Sequence, residues 1–210
     1  MRSIVKAEEP QILLENKASW TTEYVADPKN KTKKYRYRHP DIKSALKAET
    51  SDKCVYCESK IGHNTPGDVE HKVPSSLDRT RHFEWENLTI ACTECNRRKN
   101  AYYDVVKPFL DPYINGIEAR IIHHGPIVCW APHDAVAEAT VKILNLNDTT
   151  RTQLVAQKVE HIDALNNVVA RLKEADPLIQ ELMKLKIEEM KAEGAEYSGM
   201  VHAVCATYGI

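Results

Sequence analysis

The sequence is poor in glycine, with seven residues in 210, and has no apolar run near the roughly 18 to 20 residues a membrane-crossing helix needs. Its opening, MRSIVKAEEPQILLE, has no continuous apolar stretch of the kind found in a secretory leader. No internal repeat or low-complexity segment appears. These absences argue against a membrane partner and leave a cytoplasmic location as the expectation. Net charge is lacking too: it is −1, so bulk charge makes no case for nucleic acid. The distribution says more. Residues 1–110 carry 20 Lys/Arg against 16 Asp/Glu, and residues 111–210 carry 9 against 14. An anionic partner therefore belongs with the first half.

The chain is 42% hydrophobic, enough to bury a core. Residues 1–50 read as an N-terminal segment anchored by Leu13, Leu14, Trp20 and Tyr24. It includes the basic run KNKTKKYRYRHP at 29–40 and a short helix from Pro40 to about Ala48. The Lys29–Arg38 run, with Tyr35 and Tyr37, suits either a backbone-tracking, base-stacking surface or a solvated strand or loop. Residues 51–110 hold four of the six cysteines. Residues 111–210 begin with a hairpin, ARIIHHGPIVCW, turning at Gly125-Pro126, and continue as helices. One helix lies in HDAVAEATVKILNL. A longer one follows Asp148-Thr149, with Val155, Val159, Ile162, Val169 and Leu172 on one face. Asp176-Pro177 then caps a helix running to about Gly194, and a last short helix covers 196–206. The fold class is α+β, mainly α.

Cys54-Val-Tyr-Cys57 and Cys92-Thr-Glu-Cys95 supply four thiolates, enough for one tetrahedral zinc. Redox dithiols or unrelated buried thiols are the alternative, but two matched pairs in a reducing compartment favour metal. The pairs stand 34 residues apart, against roughly 15 to 20 in a common zinc ribbon. They therefore bracket an insertion, and it carries Glu70 beside His71. Cys129 and Cys205 sit in apolar surroundings and read as core thiols. His123 and His124 are strand neighbours facing opposite ways, so they are not read as a metal pair. Trp85 reads as a packing anchor.

Cys-x-x-Cys, Glu70-His71-x-x-Pro74, WENLTIAC and CTECNRRK follow one another in the order of a known motif. The stretch from Cys54 to Lys99 resembles the HNH endonuclease superfamily, whose ββα-metal core is often held by a structural four-cysteine zinc. The resemblance implies that Glu70 replaces the usual metal-binding Asp and that His71 is the general base. It makes Asn87 the brace of the histidine loop, and Asn96 a metal ligand on the first turn of the following helix. A carboxylate and an amide oxygen suit Mg²⁺ or Mn²⁺. A neutral imidazole can take a proton from water. Glu70 and His71 can serve together only if the strand ends there, which Pro74 allows.

Further phrases, VEHKVPSS, FEWENLTIACTECNRRKN and FLDPY, are similar to the PtuB-type HNH nucleases of Septu and some retron anti-phage systems. That likeness implies a complex with a PtuA-type ATPase, and in one setting a retron reverse transcriptase–msDNA assembly. The apolar stripes of the acidic helical part suit either the core, for most of their length, or a docked partner. Lys72, Arg79, Arg81, His82, Arg97, Arg98 and Lys99 are the candidates to neutralise substrate phosphates. DNA is the first expected substrate. RNA such as tRNA is the alternative, and a non-catalytic zinc-scaffolded binding module is the reading from a different class.

Overall fold

A computed structural model describes residues 1–62, 67–172 and 176–210. The N-terminal segment is helical: α1 spans Gln11–Ala26, α2 Lys31–Lys34, a 3-10 turn Tyr35–Arg38, and α3 Pro40–Glu49. Helix α1 lacks a strong apolar stripe, and tertiary contacts hold it: Leu13 and Tyr24 are buried, whereas Leu14 is exposed and no anchor. The basic run is helical rather than a strand or open loop. Asn30 caps α2 by accepting from the Lys33 N–H (3.2 Å), and the coiled backbone tucks Tyr37 inside, where it cannot stack on a base. Pro40 at the first position opens α3, whose Ile42 and Leu46 are buried.

The knuckle turns, one hairpin and one short helix make the centre of the molecule. Strand β1 (Asp68–His71) pairs antiparallel with β2 (Leu88–Ala91), matching Asp68 to Ala91 and His71 to Leu88. Gly67 leads into β1 with φ +68°, and a Cβ there would lie 2.8 Å from Ile61 Cδ1, so only glycine enters the strand unstrained. Helix α4 (Thr93–Lys99) follows β2 directly, and Cys92 is its cap, accepting from the Cys95 N–H. The first knuckle is tied to this unit by Val55 N–H donating to Ile90 O (3.1 Å).

Beyond it come α5 (Ile117–Arg120), the hairpin β3 (Ile121–His124) and β4 (Ile127–Trp130), α6 (Ala135–Leu144), α7 (Thr152–Leu172), α8 (Pro177–Lys191) and α9 (Ser198–Tyr208). Asp176 caps α8, and Asp148 caps the turn before α7; the side chain of Thr149, named with Asp148, lies outside the described residues. The buried face of α7 is set by Leu154, Lys158 and Leu165. Val159, expected inside, is 40% exposed, because one step along a helix rotates a side chain by about 100°. Helix α9 returns to the first knuckle: Gly199 N–H donates to Glu58 (3.0 Å), and Lys53 Nζ donates to Ala195 O (3.0 Å). One buried cluster runs from Leu13 through the knuckles to Met200, and a smaller one joins Leu165, Ile187, Val201, Val204 and Cys205. Among the described residues no helix is long and apolar enough to cross a membrane.

Asp134 ties the hairpin to α6. It accepts from the Ala137 N–H (2.9 Å) as the helix cap and takes both guanidinium contacts of Arg120 (2.6 and 2.9 Å). Hydrogen bonds from Arg120 hold its carboxyl down at about 2. A depressed folded pKa adds stability above the ordinary carboxylate range and loses it as pH falls through the folded value. Asp134→Ala should therefore cost about 1–2 kcal/mol at pH 7 in chemical denaturation. The difference from the parent should close as pH falls from about 4 towards 2.

Candidate active site and metal centre

The four knuckle cysteines converge, with all Sγ atoms within 4.8 Å of one another. Cys57 and Cys92 Sγ stand 3.8 Å apart. Bonds of about 2.3 Å in a tetrahedral zinc tetrathiolate place its sulfurs about 3.8 Å apart, so the spacing fits. Burial pushes the Cys54 thiol well up, while hydrogen bonds from Cys54, Cys92 and Cys95 draw Cys57 well down. Four thiols crowded out of water cannot all ionise unaided, and a bound divalent ion removes that conflict. Arg151 Nη1 and Nη2 each lie 3.5 Å from Cys95 Sγ, and Nη1 also donates to Leu144 O (3.0 Å). A buried guanidinium on a ligand sulfur offsets the negative charge of the cluster. Sequence reading did not foresee it, since Arg151 lies 56 residues beyond Cys95.

The hairpin and α4 shape an open cleft of about 420 Å³ beside this centre. Glu70, His71, Asn96 and Arg97 line it together with Tyr37 and Ser75. Strand β1 ends at His71, so the turn needed for both neighbours to reach one cleft is present. Asn87 is fully buried. It accepts from the Val73 N–H (2.7 Å) and donates to Val73 O (3.1 Å) and Arg81 O (2.9 Å), closing the loop that follows His71.

His71 Nε2 lies 3.0 Å from His82 O. A carbonyl only accepts, so Nε2 carries the hydrogen and Nδ1 is the bare nitrogen of a neutral ring. Burial, reinforced by His82, lowers the His71 pKa to about 3. The ring is therefore neutral at physiological pH, and an anionic phosphate in the cleft would raise its basicity. Glu70 is 4% exposed and is held by Lys99, whose Nζ donates to Oε1 (2.5 Å) and to His71 O (2.8 Å). Burial nevertheless raises its pKa to about 7, outweighing Lys99. A carboxylate this short of solvation, with an amide across the cleft, fits a hard divalent cation, although one of its oxygens is already taken.

The basic residues do not gather as expected. Arg97 is the member of that set on the cleft wall. Lys99 is 1% exposed and cannot meet a phosphate without leaving Glu70. His82 is 1% exposed and packs inside. Lys72 and Arg81 open on a separate cavity, paired with Asp111 (2.9 Å) and Glu84 (2.7 Å). Arg98 is held by Glu94 (2.6 Å), and Arg79 is exposed outside the cleft. Trp85 is buried, its Nε1 donating to Ala7 O (2.7 Å), and Cys205 is buried as well.

An antiparallel hairpin, a helix capped by a zinc-knuckle cysteine, and a Glu-His pair at the strand end together define a recognisable unit. Residues 54–101 match the family model for HNH endonuclease. The core is of the HNH endonuclease type. Two curated relatives extend the likeness. The Septu protein PtuB of Bacillus thuringiensis is 27% identical over 143 residues, covering 68% of this chain and 53% of that protein. The Septu protein PtuB of Bacillus mycoides (strain KBAB4) is 29% identical over 83 residues, covering 33% of this chain and 28% of that protein. The chain thus spans about half the length of the first relative and less of the second.

The Lys99–Glu70 pair links α4 to β1 at the centre of the HNH core. Lys99→Met would leave a buried carboxylate unpaired and should cost about 3–5 kcal/mol in denaturation at pH 8. Glu70 has a raised folded pKa, so protonation relieves that cost. The deficit should therefore grow as pH rises above about 7, where the parent's Glu70 ionises, and level off below about 7, where Glu70 is protonated in both proteins.

Proposed function

We propose that the protein is a metal-dependent HNH endonuclease that hydrolyses phosphodiester bonds, DNA before RNA. The observation carrying this reading is the meeting of Glu70, His71 and Asn96 on one cleft, with the His71 ring pinned through Nε2. His71 Nδ1 takes a proton from water, and the water oxygen bonds to phosphorus. The P–O bond to the leaving oxygen breaks, and that oxygen is protonated from solvent. Glu70 and Asn96 would hold a Mg²⁺ or Mn²⁺ ion, which when bound supplies charge stabilisation for the phosphorane and the leaving group. Asn87 keeps the loop after His71 in place. Zinc in the knuckles is structural, since four thiolates leave no open position.

Substrate approach is assigned to a basic rim. Arg97 stands on one side of the cleft. Helix α2 and its following turn flank Tyr37 on another and present Lys31 and Arg38 to solvent. These cations suit phosphate oxygens, so binding weakens with salt. By likeness to the PtuB proteins, the biological setting is anti-phage defence with a PtuA-type ATPase. The docking surface is assigned to the helical part, where α8 exposes Leu178, Leu182 and Leu185 at i, i+4 and i+7.

Incubation with plasmid DNA and with total tRNA in Mg²⁺ or Mn²⁺, alone and with the ATPase, tests the reading. Cleavage should fall by a factor of about 10² or more in His71→Ala, with zinc content and thermal transition unchanged. Cleavage that survives this substitution would remove His71 from the mechanism. Binding without cleavage in every condition would favour a zinc-scaffolded binding module.

A further inference from the structure

His82 is none of the four HNH positions named above, yet it meets His71 through both its ring and its main chain. Its ring lies face to face on the His71 ring, with centroids 4.5 Å apart and planes 8° from parallel. Tyr24 stacks on His82 as well, at 4.3 Å and 28°. Two rings at that distance cannot share one face, so His82 is the middle layer of a three-ring stack. Tyr37 closes its side, edge-on to His82 at 5.0 Å and to His71 at 4.8 Å. The main-chain oxygen of His82 is also the acceptor for His71 Nε2.

The middle ring is itself fixed. His82 Nε2 donates to Lys34 O (2.8 Å), so Nε2 carries its hydrogen, and Nδ1 accepts from the Ser75 hydroxyl. Both nitrogens are used, the ring is 1% exposed, and burial keeps it neutral. A neutral flat ring beside His71 adds no charge to compete with an imidazolium forming there. Ser75 lies on the cleft wall and Lys34 on the basic segment, so the stack joins both to the histidine.

We propose that His82 is a positioning residue: its ring face holds the His71 ring in the plane where Nε2 meets the His82 carbonyl, and that alignment fixes the Nε2–H tautomer and leaves Nδ1 bare. The link from that geometry to rate rests on the nuclease reading; the geometry does not.

The test compares His82→Phe with His82→Leu in the full chain. Both fill the space with apolar atoms and keep the main-chain carbonyl, but only phenylalanine offers a flat face. Long-range proton–nitrogen correlation spectra of the histidine rings report the tautomer without any substrate. The parent and His82→Phe should show His71 as a single Nε2–H form, and His82→Leu should show averaged His71 nitrogens. In cleavage assays kcat should fall by about tenfold in His82→Leu with KM little changed, and His82→Phe should recover most of it. A single Nε2–H form in His82→Leu, or equal loss in both variants, would overturn the proposal. Should His82→Leu fail to fold, Ser75→Ala frees the middle ring from the wall. His71 line broadening is then expected, and an unchanged His71 spectrum would overturn the proposal. If His71→Ala still cuts while the tautomer results hold, the nuclease reading fails and the positioning claim stands.

Discussion

The four-thiol cluster is the constraint on which the rest of the molecule depends. Hairpin β1–β2 has four residues in each strand, and α4 has seven, too few to hold a fixed geometry by themselves. Cross-linking the turn at Cys54–Cys57 to the cap of α4 at Cys92–Cys95 sets the helix against the hairpin. Structural zinc contributes an apparent ~10–16 kcal/mol at neutral pH, comparable with the ~5–15 kcal/mol net stability of a whole domain. At that scale a zinc ion held by these four cysteines would be a condition for the core to exist.

The helical part is built onto that cluster rather than beside it. Arg151, just before α7, reaches Cys95, and Lys158 on α7 is buried with its Nζ 3.4 Å from Pro126 O. Burial lowers the Lys158 pKa, and the nearby Cys57 and Glu58 charges oppose that shift. Buried cations are costly unless paired, so their presence here follows from the negative field of the thiolates. Helix α9 closes the same region through Glu58 and Lys53. The cleft thus stands on a hairpin whose far side is locked by the second half of the chain.

What the sequence showed clearly was local. Cys-x-x-Cys spacing, the strand ending at His71, Asn87 near the loop it closes, and the Asp176-Pro177 start of α8 depend on residues close in the chain or in one motif. Lys99, His82 and Arg151 were misread or missed, because their partners are fixed by packing across 11 to 56 residues. Lys99 was read as a phosphate contact because it matches a basic position common in this class of motif, and here α4 turns it inward. Helix α1 escaped notice because its buried side chains form no regular stripe. On α7, Ile162, Val169 and Leu172 pack against the smaller cluster as expected, and Val159 turns outward because Lys158 takes the inward position.

Native-state hydrogen exchange, on zinc-loaded protein and on protein stripped by a chelator, tests the central role of the cluster most directly. Loss of zinc should collapse protection in β1, β2 and α4 together, and with it the protection at the start of α7 where Arg151 reaches the sulfurs. Protection that persists in β1 and β2 after the metal is gone would contradict the account, because the hairpin would then be holding itself.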